Sequence, residues 1–310
     1  MNKPKPIGRG LSEEYVGSAY YRRNYDCGWY CAYSQAQFRT LFRDLIMITD
    51  HPLNHSYTRY FIAPLLVCFF SFIPIMAGPP FHTDDPEPVD YHHWEFYGAS
   101  QITSDKDGVF GTAPHVEINF GNFHETQIHM IIPLSFNHPR TGNYAFGPGD
   151  IEIGLKYRFV KETSFVPQIG IFPLIEIPAG KAAKGLGAGT VQFFLPLWLQ
   201  KSWGSWTTYG GGGYLVDITS YPENSWFIGW EGQHDISEIL TIGAEVFSTL
   251  FPSKSSENEV GFNLGAIVNF SDNHHILFSA GRDIVGHNDV FLYAAYQLTI
   301  GPASNSNRGE

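Results

Sequence analysis

The feature that most constrains this chain is an alternation of apolar and mixed side chains, which begins at Tyr91 and runs almost to the end of the sequence. A period of two is typical of β-strands with one apolar face, and helical spacing is absent. In residues 150–160 (DIEIGLKYRFV), for example, Glu152, Lys156 and Arg158 share one face while five apolar side chains share the other. The alternation therefore predicts an all-β chain.

Twelve segments follow this pattern, and their number is even. Most contain 10–14 residues, whereas strands of soluble proteins usually contain about 5–6. The segments are 91–103, 112–121, 124–136, 149–160, 164–177, 190–201, 206–217, 225–235, 240–251, 259–270, 274–283 and 289–299.

The connections between these segments alternate in length. Short turns follow the even-numbered segments, and longer loops rich in Gly, Pro and Asn follow the odd-numbered ones. This arrangement is typical of bacterial outer-membrane barrels. A closed antiparallel barrel also gives every backbone N–H and C=O an internal partner, as hydrocarbon requires. We therefore predict a transmembrane antiparallel up-and-down β-barrel of about 12 strands over residues 91–300.

A secreted β-sandwich is the alternative, because it also contains many alternating strands. The length of the segments argues against it. Aromatic residues near the ends of the apolar faces also favour a barrel, since they suit the girdles at the two membrane interfaces. These residues are Trp94, Phe136, Phe159, Trp226 and Phe270.

Composition and charge exclude two classes of protein. The mean hydropathy of −0.14 excludes a membrane protein with many helices. Residues 1–78 hold 8 basic and 5 acidic side chains, whereas residues 79–310 hold 11 and 25. So acidic a body does not attract nucleic acid. Residues 79–310 contain no cysteine, so no disulfide stabilises this part of the chain.

One continuous apolar stretch, residues 60–78, precedes the strands. Its two prolines, its small terminal residues and the lack of a second span favour a secretory signal peptide over an anchor. We predict a signal peptide over residues 47–78 with Met47 as the true start, and residues 1–46 as a mis-assigned start or a disordered tail. Residues 79–90 form an acidic, proline-rich periplasmic segment that either enters the barrel or contacts a partner, and residues 301–310 form a tail.

Three stretches carry a resemblance to a known family: residues 78–100 (GPPFHTDDPEPVDYHHWEFYGAS), 149–159 (GDIEIGLKYRF) and the closing LYAAYQLTIGP. They resemble the transporter-like outer-membrane proteins associated with the meta-pathway of phenol degradation. The resemblance covers residues 78–302. It implies a porin-like barrel that takes up aromatic or other hydrophobic small molecules, with outer-membrane lipid and the barrel-assembly machinery as partners. The tail ASNSNRGE departs from the terminal aromatic residue usual in such barrels.

The inward faces predict a lumen with two levels. Near the periplasmic end we expect an ionic constriction in which acids and bases pair, formed by Glu95, Glu117, Lys156, Arg158 and Glu231. Above it we expect an apolar vestibule formed by Phe172, Phe194, Phe247 and Phe291, which would accept a flat hydrophobic molecule. The alternative is that these phenylalanines fill a narrow interior and the charges satisfy one another.

These features predict a channel for passive uptake of small, hydrophobic or aromatic molecules. The alternative is a non-transporting outer-membrane barrel with a structural or binding role. Because inward acids outnumber inward bases, we expect anions to be disfavoured. The inward acids are Glu95, Glu117, Glu152, Glu176, Glu231 and Glu245.

Enzymatic and metal sites find little support in the sequence. His234 and Ser248 lie on the lipid face of neighbouring strands, but at different heights, so we expect no catalysis. His92 and His93 lie two strands away from His274 and His275, about 10 Å apart, which is too far for one ion. We predict no metal and no cofactor.

Overall fold

The computed structural model describes residues 79–219, 222, 224–252 and 257–302. The predicted signal peptide, residues 1–46 and residues 303–310 of the predicted tail lie outside the described residues. In the part of the chain that is described, no helix has both the length and the apolar character needed to cross a bilayer.

The described chain consists mainly of long antiparallel strands. Besides these strands it contains a short 3-10 helix, Ala182–Lys184. The strands are β1 (Trp94–Ser104), β2 (Gly108–Phe123), β3 (Thr126–Pro139), β4 (Ala145–Pro148), β5 (Ile151–Val160), β6 (Gln168–Ile171), β7 (Leu174–Ile177), β8 (Gln192–Trp203), β9 (Trp206–Asp217), β10 (Ser225–Asp235), β11 (Leu240–Leu250), β12 (Glu259–Ser271), β13 (His274–Val285) and β14 (Val290–Ile300).

The sheet closes on itself. β1 pairs with β14 along its whole length, beginning with Trp94 opposite Ile300. β4 and β5 both pair with β3 and together form one strand of the wall. β6 and β7 form the next, which is interrupted at Phe172 and Pro173. The described elements therefore make a closed antiparallel barrel of twelve wall strands, which confirms the predicted fold class.

The barrel has the inverse of a soluble protein's distribution of side chains, in which apolar residues are buried. Its inward face is polar and buried: Glu95, Glu117, Gln127, His129, Lys156, Gln168, Gln200, Glu231, Gln233, Glu245, Asn263 and Gln297. Its outward face is apolar and exposed: Val116, Ile128, Leu155, Leu195, Ile228, Val246, Leu264, Phe278 and Leu292. Apolar surface of this extent on a single chain marks contact with a partner or with lipid.

The two ends of the barrel differ. The end at which β1 begins also carries the tight turns between β2 and β3, between β8 and β9, and between β12 and β13, and we call it the turn end. The opposite end, the loop end, carries the long connection from β7 to β8. Four of the five aromatic residues predicted for the girdles are more than one third exposed, namely Trp94, Phe159, Trp226 and Phe270.

The first hairpin differs from the prediction. We expected a loop over 104–111. Instead, β1 ends at Ser104 and β2 begins at Gly108, so the connection consists of residues 105–107. Gly111 lies in β2, where a Cβ atom would clash with the carbonyl oxygen of Gln101. Close strand contact, not chain reversal, therefore requires this glycine.

Candidate functional site in the lumen

Residues 79–90, which we call the lumen segment, lie inside the barrel. Their hydrogen bonds reach inward side chains on β3, β5, β6, β8, β11 and β13, which stand on different sides of the wall. Thr83, Asp85 and Pro86 are fully buried. The sequence left open whether this segment enters the barrel, and the structure places it across the lumen.

Residues 91–93, which we call the joint, connect the lumen segment to β1. The backbone N–H of His92 donates to the carbonyl of Gly121 at 2.8 Å, and the N–H of Gly121 donates to the carbonyl of His93 at 3.0 Å. These bonds fasten the joint to the end of β2. The lumen segment therefore enters from the turn end, tethered to the wall.

The first half of the lumen segment, residues 79–83, is held largely through its backbone. The carboxylate of Glu245 accepts the backbone N–H groups of His82 and Thr83, each at 2.8 Å. The amide of Asn263 donates to the same carboxylate at 2.7 Å. Hydrogen bonds to a charged acceptor are stronger than neutral ones, so Glu245 is the main polar anchor of this half.

Inward glycines make room for this half of the segment. A Cβ atom on Gly243 or on Gly265 would lie 2.7 Å from the ring of Phe81. The hydroxyl of Ser279 donates to the carbonyl of Pro80 at 2.6 Å. Missing side chains on β11 and β12 thus form a recess that the Phe81 ring fills.

The second half of the lumen segment is held by its own carboxylates. The ammonium group of Lys156 lies 2.9 Å from Asp84 Oδ1 and 3.4 Å from Asp85 Oδ2. In the described strands, the lysine and arginine side chains that point into the lumen are Lys156 and Arg158. Both inward bases therefore face the acidic part of the lumen segment.

Three hydrogen-bond donors of the wall converge on the carboxylate of Glu87. Arg158 Nη1 lies 3.2 Å from Glu87 Oε1, while the amides of Gln168 and Gln200 donate to Oε2 at 3.1 and 3.2 Å. Arg158 also donates to Gln168 Oε1 at 2.7 Å and to Glu125 at 2.6 Å, so its guanidinium group is fixed. We call Arg158, Gln168 and Gln200 the carboxylate cradle.

The charges of the second half are not balanced one to one. Burial raises the pKa of Asp85 well above its ordinary value, and the nearby carboxylates of Asp84 and Glu87 act in the same direction, whereas Lys156 opposes them. Three acids thus approach two bases, and Arg158 also serves Glu125. The lumen segment therefore brings more carboxyl groups to this site than the two bases can pair as charged carboxylates.

The ionic pairs differ from those that we expected. The side chains of all five residues of the predicted constriction face the lumen. The two bases, however, pair with the lumen segment instead of with the predicted acids. The sequence indicated which face each charge occupies, but not the carboxylates that a distant segment brings to it. The five residues are Glu95, Glu117, Lys156, Arg158 and Glu231.

The predicted acids contact neighbours other than the two bases, or none, and Glu117 also lies 3.6 Å from His129 Nδ1. Glu95 accepts a hydrogen bond from the Tyr97 hydroxyl at 2.9 Å, and Glu117 accepts one from the Asn119 amide at 2.9 Å. Glu231 is fully buried, and no donor among the described residues reaches either of its carboxylate oxygens.

An aromatic cluster lines the lumen toward the loop end. The ring of Phe194 lies 6.5 Å from that of Trp198, Trp198 lies 6.3 Å from Phe227, Phe227 lies 6.2 Å from Phe247, and Phe247 lies 5.7 Å from Phe291. Trp198 and Phe227 were not among the predicted vestibule residues. Their alternation places them on the inward face, so the sequence contained the signal.

The lumen segment touches this cluster. The imidazole ring of His82 lies 4.6 Å from the ring of Phe247 and 5.3 Å from that of Phe291.

A Cβ atom on Gly211 would lie 3.0 Å from the Trp198 ring, so the glycine run of β9 lets this ring lie close to the wall.

Phe172 lies apart from the other predicted vestibule residues. It stands at the break between β6 and β7, and its ring packs against the edge of His129 at 5.2 Å. The ammonium group of Lys156 lies 4.9 Å from the centre of the same ring, within the range of a cation–π contact. Phe172 therefore belongs with the basic side chains and not with the aromatic cluster.

The two side chains considered for catalysis are far apart along the wall. His234 pairs with Ile242, whereas Ser248 pairs with Ile228. Six residues along a strand correspond to about 20 Å. The hydroxyl of Ser248 donates to the carbonyl of Glu259 at 2.8 Å. This arrangement does not bring a nucleophile and a base together.

The histidines at the turn end bind other partners. His274 lies 2.5 Å from the hydroxyl of Tyr296, and His275 lies 2.7 Å from Asn269 Oδ1. Among the described residues, no three His, Cys, Asp or Glu side chains converge as metal ligands.

Comparison with known proteins identifies the fold. No family model and no curated protein matches the sequence. The structure is similar to an outer membrane channel from Pseudomonas putida F1, with 14% identity and a TM-score of 0.56 over 70% of this chain and 98% of that one. Weaker similarities include the KdgM porin in complex with disordered oligogalacturonate (10% identity, TM-score 0.48, 66% and 98% covered) and the CymD monoaromatic hydrocarbon channel (8%, 0.40, 68% and 90%). At these identities the similarity establishes the fold alone.

Proposed function

We propose that the chain is a passive channel of the bacterial outer membrane for small, hydrophobic or aromatic molecules, and that the lumen segment is its plug. The apolar outer surface suits contact with lipid hydrocarbon. Export by the predicted signal peptide and insertion by the barrel-assembly machinery are parts of this proposal. Membership of the phenol meta-pathway family stays a prediction.

The observation that carries the proposal is the position of the lumen segment. It crosses the lumen and is held by hydrogen bonds, ion pairs and ring contacts, with a backbone connection at one end. Because these contacts are non-covalent and lie outside the ladder of the wall, the segment can leave without breaking any strand pairing. Twelve strands enclose more space than the smallest barrels, whose interior is filled by wall side chains.

The aromatic cluster supports the proposed class of solute. An aromatic pair contributes about 0.5–1.5 kcal/mol beyond the burial of area. Withdrawal of His82 would expose the rings of Phe247 and Phe291 to an entering molecule. The competing proposal is a barrel that carries no solute, and the filled lumen favours it as long as the lumen segment stays in place.

A disulfide distinguishes the two proposals. A Cβ atom on Gly229 would lie 3.1 Å from the Cβ of Thr83, slightly short of the range of about 3.5–4.5 Å in disulfides, so a small outward shift of the segment allows the bond. The described chain has no cysteine that would compete. We expect the T83C/G229C variant to be silent in planar bilayers when oxidised and to conduct after reduction, whereas each single-cysteine variant conducts in both conditions. Equal conductance before and after reduction would refute the plug, and no conductance in any variant would refute the channel.

Solute preference is tested on the reduced T83C/G229C channel. We expect benzyl alcohol to interrupt its single-channel current, and F194A/F247A to weaken this interruption by about tenfold, the effect of losing one or two ring contacts. F278A is the matched control, because Phe278 points away from the lumen and is exposed. Equal interruption in both variants would contradict the role of the aromatic cluster.

A further inference from the structure

The side chain of Glu87 is bound as a small ligand would be. Three donors from three different strands converge on its two carboxylate oxygens, and one of them is a guanidinium group. Arg158 is held in place by Gln168 and Glu125 independently of Glu87. The carboxylate cradle is therefore built by the wall, and Glu87 fills it.

Withdrawal of the lumen segment changes the charge around the cradle. The segment takes three carboxylates with it, those of Asp84, Asp85 and Glu87. Lys156 then loses both of its ion-pair partners, while Arg158 keeps only Glu125. Although acids dominate the lumen as a whole, this side of it becomes a site for an anion.

The surroundings of the cradle add an apolar requirement. Pro86, next to Glu87, packs on Gly170, where a Cβ atom would lie 3.0 Å from the Pro86 Cβ. The ring of Phe172 stands beside Lys156 on the same side of the lumen. A withdrawn segment therefore leaves an apolar space the size of the proline ring next to three N–H donors that bind a carboxylate.

From these contacts we infer that the carboxylate cradle is a binding site for small aromatic acids, which replace Glu87 and keep the lumen segment out. This inference rests on the proposed channel and names one class of its solutes. A carboxylate pairs with all three donors, whereas an uncharged hydrocarbon leaves them unpaired, and unpaired buried donors are unfavourable. Benzoate is the simplest molecule with both features.

The test uses the full chain with Glu87→Ala, which frees the three donors of the cradle and removes three of the contacts that hold the lumen segment, so benzoate displaces the segment more easily. We expect benzoate to bind this variant saturably in titration calorimetry, more than tenfold tighter than acetate. Adding Arg158→Gln should abolish binding, whereas adding Lys184→Gln, the same charge change on an exposed loop lysine, should not. Gln200→Leu, which keeps every charge, should weaken binding severalfold and thus guards against misfolding of the arginine variant.

The outcomes separate this inference from the proposed function. Benzoate binding that survives both Arg158→Gln and Gln200→Leu, or equal binding of acetate and benzoate, overturns the inference. In wild-type bilayers benzoate should raise the open fraction, and benzyl alcohol should not. If the T83C/G229C channel responds to reduction while benzoate binds nowhere, the channel stands and only the aromatic-acid site is lost.

Discussion

The two halves of the lumen segment are held by different physical interactions. Residues 79–83 are held by backbone N–H groups that donate to Glu245 and by the Phe81 ring in a recess lined by glycines, so none of these contacts uses a charged side chain of the segment. Residues 84–87 use their own carboxylates on Lys156 and the cradle. Shape therefore positions the first half of the segment. Ion pairs hold the second half in place, and a charged solute could replace its carboxylates in these pairs.

The largest effect should come from removing the charge that holds the second half. Loss of one partner from a buried ion pair costs about 3–5 kcal/mol, and about 1.4 kcal/mol corresponds to a factor of ten. We expect K156Q/R158Q to raise the ratio of open to closed channels in planar bilayers by about 100-fold or more. K181Q/K184Q, with the same charge loss on exposed lysines, should resemble the wild type. An unchanged ratio in a barrel that still shows heat-modifiable migration would refute charge as the closing interaction.

A smaller effect should follow from weakening the anchor of the first half. Hydrogen bonds to a charged group contribute about 1.5–3 kcal/mol, and Glu245→Gln keeps an acceptor while it removes the charge. We therefore expect the ratio of open to closed channels to rise by about tenfold. Glu238→Gln, in an exposed turn, is the control. A larger effect for Glu245→Gln than for K156Q/R158Q would reverse the comparison.

Filling the recess should act more weakly still. Gly265→Val would push against the ring of Phe81, and overpacking costs about 1–3 kcal/mol. Part of this cost is relieved by movement of the lumen segment, so we expect about a fivefold rise in the ratio of open to closed channels. Gly98→Val is the control, because a Cβ atom there meets nothing within 4 Å. Equal behaviour of the two valine variants would show that Phe81 does not occupy the recess.

The smallest effect concerns Asp85 and depends on pH. Burial raises its pKa when the segment is seated, so proton uptake favours seating, and this contribution is lost as the pH rises through the raised pKa. Asp85→Asn imitates the neutral acid at every pH. The ratio of wild-type to Asp85→Asn open fractions should therefore rise between pH 5 and pH 8. A falling ratio would mean that Lys156 controls the ionisation of Asp85.

The wall could be predicted from the sequence because its rule is local. A period of two assigns each side chain to a face without knowledge of any partner, and it assigns Lys156, Arg158 and Glu231 to the face that lies inward in the structure. Prediction was poorer where the ladder breaks. Residues 164–177 suggested one strand, but Pro173 has no N–H to donate, and its carbonyl instead accepts the N–H of Leu155 at 3.1 Å.

The contents of the lumen could not be predicted because they depend on a distant segment. Lys156 and Asp84 are 72 positions apart, and the sequence offered six other inward acids as partners. Glu87 is likewise 113 positions from Gln200. Alternation states which face a residue occupies, but not what fills the space in front of it.

The joint at residues 91–93 determines how the channel would respond to its surroundings. Since the segment remains attached after it leaves, its return is an intramolecular reaction with an effective concentration in the millimolar range for a short tether. A free molecule with the same affinity would need a comparable concentration to displace the lumen segment from its site. The channel would thus stay closed at low solute concentration and open at high solute concentration. The length of the tether would set the concentration at which it opens.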